Sequence, residues 1–133
     1  IFQQALSDEG DFIQRLDTAA SAAQGYLEKN ADASKILLRE LVDSGPFLEG
    51  HGHNAIALAL GTGVQFFDLG IEAGVFRKQD PKQLMVSLMG LLLYSYAAGG
   101  IASDFLGSAA GTKAGKKQRK EALQLQIRAL CCP

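Results

Sequence analysis

Apolar residues recur along this chain at steps of three and four, the spacing that gathers them on one face of a helix. No stretch sustains a period-two alternation, and no Asn-Gly or Asp-Gly pair marks a hairpin. The pattern predicts an all-α protein. A first helix over Asp11 to Lys29 carries Phe12, Leu16, Ala19, Ala23 and Tyr26 along one stripe, after a helix tail or early turn at Ile1 to Leu6. Asp32 is placed to cap a second helix from Ala33 to about Ser44, which turns Leu37, Leu38 and Leu41 inward and stops at Gly45-Pro46. Pro46 to His53 reads as a loop. Asn54 is placed to cap a third helix reaching Ala73, with Leu60, Val64, Phe67 and Ile71 as its main stripe.

Between Gly74 and Leu84 the chain writes a helix stop and a helix start back to back. Gly74 suits the left-handed position that ends a helix, and Asp80-Pro81 suit the N-cap and first turn of the next. That fourth helix runs to about Ala98, where Gly99-Gly100 permit a break before a short piece, Ile101 to Leu106. Gly107 to Gly115 reads as a loop, and a last helix spans about Lys116 to Leu130, with Leu123, Ile127 and Leu130 on one face. From Gln83 to Ser103 no residue is charged, so the fourth helix must hide most of its circumference from water. The run is long enough to cross a bilayer, but Ser87, Gly90, Ser95, Gly99 and Gly100 dilute it and the flanks lack an aromatic and basic belt. Burial against a second copy explains the same run, so a homodimer and no membrane are expected.

Length and charge change this picture little. The chain has 133 residues, one domain over 1–133 with a sizeable core. Residues 1–49 hold nine acids against four bases, and residues 113–128 hold six bases against one acid. The basic run has no aromatic residue to stack on bases, and it reads as a solvated helix start. Cys131 and Cys132 are adjacent and cannot staple distant segments, which excludes the disulfide-rich secreted class and suits a cytoplasmic setting. No secretory signal is visible, and without an initiating methionine the sequence reads as a fragment or a processed product.

Catalytic chemistry finds no support. His51-Gly52-His53 lacks further converging ligands for a metal, and no Ser, His and acid stand at a triad spacing. Gly61-Thr62-Gly63 lies within a helical stripe, and the glycines around Lys116 lack the phosphate-loop spacing. The chain is therefore expected to be no enzyme, with no catalytic residue, cofactor or metal. Phe12, Phe47, Phe66, Phe67, Met85, Met89, Tyr94 and Tyr96 suit either a plain core or an adaptable apolar cavity.

Three patches resemble the C-terminal regulatory domain of tetracycline-repressor-like (TetR) transcriptional regulators. They are Ile36-Leu37-Leu38-Arg39-Glu40-Leu41 before Gly45-Pro46, then Glu72-Ala73-Gly74-Val75-Phe76-Arg77 with Asp80-Pro81, and the uncharged helix closed by a last amphipathic one. The resemblance implies an antiparallel bundle of five to six helices that dimerises through a four-helix bundle. It also implies a pocket for a small apolar or amphipathic effector, lined by Phe12, Leu37, Phe47, Leu60, Val64, Phe67, Met85 and Met89. The dimer interface would comprise Leu88, Leu91, Leu92, Ser95, Leu123, Ile127 and Leu130. Such regulators, repressors in the expected case, bind operator DNA through an N-terminal helix-turn-helix domain. The present sequence carries no such pattern, so operator DNA would be a partner only through that absent domain. The alternative is a helical scaffold or partner-binding protein with no small-molecule ligand.

Overall fold

The structure, a computed structural model, describes residues 10–43, 45–107 and 111–133. These residues form helices α1 (Phe12–Lys29), α2 (Ala31–Asp43), α3 (Pro46–Glu49), α4 (His51–Glu72), α5 (Pro81–Ala97), α6 (Gly99–Phe105) and α7 (Lys113–Cys131), with no strand among them. The protein is all-α. Asp11 starts α1 with a reciprocal capping box: its carboxylate accepts from Gln14 N at 2.8 Å, and the Gln14 side chain answers the Asp11 amide. Asp80 likewise starts α5 by accepting from Lys82 N, ahead of Pro81 in the first turn.

Several boundaries differ from the sequence reading, each for a local reason. Asn30 ends α1 while its carbonyl accepts from Ser34 N at 3.1 Å, so α2 begins at Ala31 and Asp32 lies inside its first turn rather than at its cap. Pro46 to His53 is no loop: α3 occupies Pro46–Glu49, and α4 follows from His51 with Gly50 at its N-cap, which displaces Asn54 from that role. Thr112 accepts from Gly115 N at 3.0 Å and starts α7 at Lys113, three residues early. The expected tail at Ile1 to Leu6 lies outside the described residues.

Helix α5 is the hub, packing against α1, α2, α4, α6 and α7. Leu84, Met85, Leu88 and Leu93 are buried, and Leu91 and Leu92 are half-buried, so one chain covers most of the apolar circumference by itself. The uncovered part is a stripe through Val86, 65% exposed, and Tyr94, 56% exposed. The uncharged run is not one straight helix, since α6 leaves α5 at a bend of 69°. Among the described residues, Gly52–Glu72 is long and apolar enough to cross a membrane, as is the bent α5–α6 pair if taken as one span.

The α4–α5 junction organises the core. Gly74 takes a φ of +75°, and the amides of Val75 and Phe76 both donate to the Gly70 carbonyl. This turn drives Phe76 inward, 2% exposed, against Phe12, Phe66 and Phe67 at centroid separations of 5.5 to 5.7 Å. A Cβ at position 70 would lie 2.1 Å from the Phe76 ring, so glycine is what lets the ring approach the α4 backbone. The guanidinium of Arg15 rests over Phe12 and Phe66 and covers the cluster from outside.

Beyond Phe76 the junction caps the far end of α7. The Arg77 amide donates to Cys131 O at 2.7 Å, the Arg77 guanidinium to Cys132 O at 3.0 Å, and Gln79 Nε2 to Leu130 O at 2.8 Å. These are carbonyls that a helix leaves without intrahelical donors. The Cys131-Cys132 end is therefore anchored, with Cys131 fully buried in the core. Burial, and secondarily Cys132, push the Cys131 thiol up to about 12. Along its length α7 is tied to α1 by a forked Arg128–Asp17 pair and by Gln124 donating to Ser21.

Two measurements check this account. Gly70→Ala should destabilise by about 1–3 kcal/mol through the forced shift of Phe76, whereas Gly61→Ala, which meets nothing within 4 Å, should stabilise α4 by about 0.5–1 kcal/mol; equal melting temperatures for the two variants would refute the packing argument. A thiol reagent at mildly alkaline pH should label Cys132 in the native protein and Cys131 only after unfolding, because the buried thiol stays protonated there. Prompt labelling of both would contradict the anchored end.

Candidate functional site

Four alanines on α1 make the space. Ala19, Ala20, Ala22 and Ala23 stand where larger residues would meet α5, and they border an apolar cavity of about 460 Å³. Leu16 and Leu27 bound it along α1, Leu37 comes from α2, and Ala59, Gly63, Phe66 and Phe67 come from α4. The far wall is Met85, Leu88, Met89, Leu92 and Leu93 of α5, with Ile127 of α7. Among the described residues of the lining, Tyr26 alone carries a hydroxyl. The volume lies in the range of small-molecule pockets, which are mostly apolar in this way. Two flexible thioethers on one wall let it follow different shapes.

Gly63 has a positional reason in this wall. A Cβ there would lie 2.7 Å from the Met85 sulfur, so the glycine admits Met85 between α4 and α5. The Gly61-Thr62-Gly63 pattern thus serves helix packing, at least at its second glycine.

Four of the eight residues expected at a pocket, Leu37, Phe67, Met85 and Met89, do line this cavity. Phe12 instead packs into the aromatic cluster, and Leu60 and Val64 are half-buried against the core without bordering the space. The Phe47 side chain lies outside the described residues. From α1 the sequence reading offered Phe12 alone and missed the residues that do line the space, although the small-residue run Ala19-Ala20-Ser21-Ala22-Ala23 between Leu16 and Leu27 was a usable sign. Phe66, Leu88, Leu92 and Ile127 also line the cavity.

The seven residues assigned to a dimer interface divide by placement. Leu88, Leu123 and Ile127 are buried within the chain and offer no side-chain surface to a partner; α1 and α7 close over α5 on that side. Leu91, Leu92 and Ser95 are half-buried, and Leu130 is exposed. Apolar side chains outside that set are exposed too, among them Val86 and Tyr94 of α5, Ile101 and Phe105 of α6 and Leu125 of α7, and also Ile36 and Val42 of α2 and Leu58 and Leu69 of α4.

A second cleft, about 390 Å³ and more polar than the first, opens where the ends of α1 and α5 meet α6 and the first turns of α7. Glu28, Ser95, Tyr96, Ser103, Lys116, Gln118 and Arg119 line it. The Tyr96 hydroxyl donates inward to Gln24 Oε1 at 3.1 Å. Burial first, and then Glu28, raise the Tyr96 pKa against a smaller opposing effect of Arg119, so the phenol stays protonated and able to donate.

His53 is exposed, and among the described residues no three His, Cys, Asp or Glu side chains gather as a metal site. Comparison of the chain with protein-family models, with curated proteins and with solved structures finds no match.

Proposed function

We propose that this chain is the ligand-sensing and dimerising domain of a TetR-like transcriptional regulator, a cytoplasmic repressor that responds to a small apolar or amphipathic effector. The observation that carries the reading is the apolar cavity of about 460 Å³ held open by the α1 alanines. A stable fold gains nothing from unfilled apolar volume, since lining atoms there lack contacts they would make in a packed core. The order of helices and the Gly-Val-Phe-Arg to Asp-Pro junction add the family likeness.

On this reading the effector enters between α1, α4 and α5, where it displaces Met85 and Met89. Operator binding belongs to a helix-turn-helix domain outside these 133 residues. The effector must prefer one dimer geometry over another, and its coupling to DNA is then reciprocal. The dimer face is the outward stripe of Val86 and Tyr94 on α5 with Leu125 on α7, side chains that a single chain leaves uncovered.

A second reading is a helical partner-binding protein. Ile101 and Phe105 of α6, 66% and 88% exposed, favour it, because they extend the apolar surface beyond the α5 and α7 faces.

Thermal-shift screening against apolar compounds separates the two. A sensor is expected to show a saturable rise, about 2.7 kcal/mol of stabilisation at one hundred times the Kd, and Ala23→Phe, which fills the cavity, should abolish it while the folded helix content persists. Flat melting curves across a broad library would remove the sensor reading. In light scattering at micromolar concentration the chain should run as a dimer that Tyr94→Asp converts to monomer; a monomeric parent chain would refute the assigned face.

A further inference from the structure

Ser103 is 5% exposed and lines the second cleft, yet among the described residues its hydroxyl has no hydrogen-bond partner. The cleft is the direction from which a partner can come. Gly99 stands one turn before Ser103 on α6 and lines the same space. Arg119 Nη2 lies 3.7 Å from where a Cβ on Gly99 would sit, so the absent side chain leaves the guanidinium resting over the first turn of α6. Guanidinium and hydroxyl are then separated by about one helical turn, on the order of 5 Å along α6. With donor–acceptor distances of about 2.8 Å, two donors so spaced can hold one oxyanion between them.

The charges in the cleft point the same way. Arg119 is half-buried and, among the described residues, makes neither an ion pair nor a hydrogen bond. Lys116, nearly one turn earlier on α7, adds a second cation, and Glu28 at the end of α1 adds one carboxylate. Two cations against one carboxylate leave a single positive excess. Tyr96 does not cancel it, because burial first and then Glu28 hold its phenol protonated.

We propose that this cleft binds a small organic carboxylate, its head held between the Arg119 guanidinium and the Ser103 hydroxyl, with Lys116 beside them and its body against Tyr96. A monoanion matches the charge excess, whereas the second charge of a phosphate monoester would add repulsion from Glu28. Guanidinium–carboxylate bonds are charge-assisted, and partial burial protects them from screening by salt. The site is separate from the apolar cavity, and it stands whether or not that cavity takes a ligand.

Calorimetry with benzoate, benzyl alcohol and phenyl phosphate on the whole chain tests it. Benzoate should bind about tenfold or more tightly than benzyl alcohol, and more tightly than phenyl phosphate. Arg119→Ala and Ser103→Ala should each weaken benzoate about tenfold, with helix content by circular dichroism unchanged. Ser103→Ala should also leave the melting temperature no lower, since the hydroxyl it removes holds no other group; a clear drop would make Ser103 a structural residue and overturn its role in the site. Tighter binding of phenyl phosphate would overturn the carboxylate assignment. Equal binding of benzoate and benzyl alcohol, benzoate binding that neither variant alters, or no benzoate binding at millimolar concentration would overturn the site itself.

Discussion

Phe76 occupies the volume that any side chain at position 70 would need, and much of the molecule depends on that exclusion. The ring reaches the α4 backbone because Gly70 has no Cβ and because Gly74, at positive φ, reverses the chain at once. With the ring seated, Phe12, Phe66 and Phe67 have a common partner, and three segments of the chain share one aromatic cluster. The same turn delivers Arg77 and Gln79 to the terminal carbonyls of α7. One steric allowance thus joins α1, α4, the start of α5 and the end of α7.

Much of this was legible in the residues, and the parts that were not have physical reasons. The side-chain cap at Asp80, ahead of Pro81, declared itself, whereas Asp32 and Asn54 offer the same chemistry and lie inside helices. Gly74 declared itself too. Boundaries set by backbone donors did not, and Asn30 is the clearest case, since nothing in the letters says that its carbonyl will receive Ser34 N and run α2 straight on from α1. Burial was legible as burial but not by whom. Leu88, Leu123 and Ile127 read as apolar positions needing cover, and the pattern is the same whether the cover is another chain or, as here, α1 and α7 of the same one.

The cavity was the least legible feature, because it is made of what is missing. The apolar stripe of the first helix already held Ala19 and Ala23. Periodicity marks such alanines as facing inward, but it does not say that their contribution there is room. The second cleft was hidden for a different reason: Glu28 of α1, Tyr96 of α5 and Arg119 of α7 stand far apart in the chain, and none of them at its own position signals a shared space.

The tie between α1 and α7 has a consequence for how the protein comes to exist. Its contacts, Asp17 with Arg128 and Ser21 with Gln124, join residues 111 and 103 positions apart. Closing so long a loop is entropically costly and is compensated only when most other helices are already in place. The cavity takes its near wall from α1 and part of its far wall from Ile127 of α7. The cavity therefore exists only where the two ends of the described chain meet, and a change that loosens the α1–α7 tie opens its walls as well.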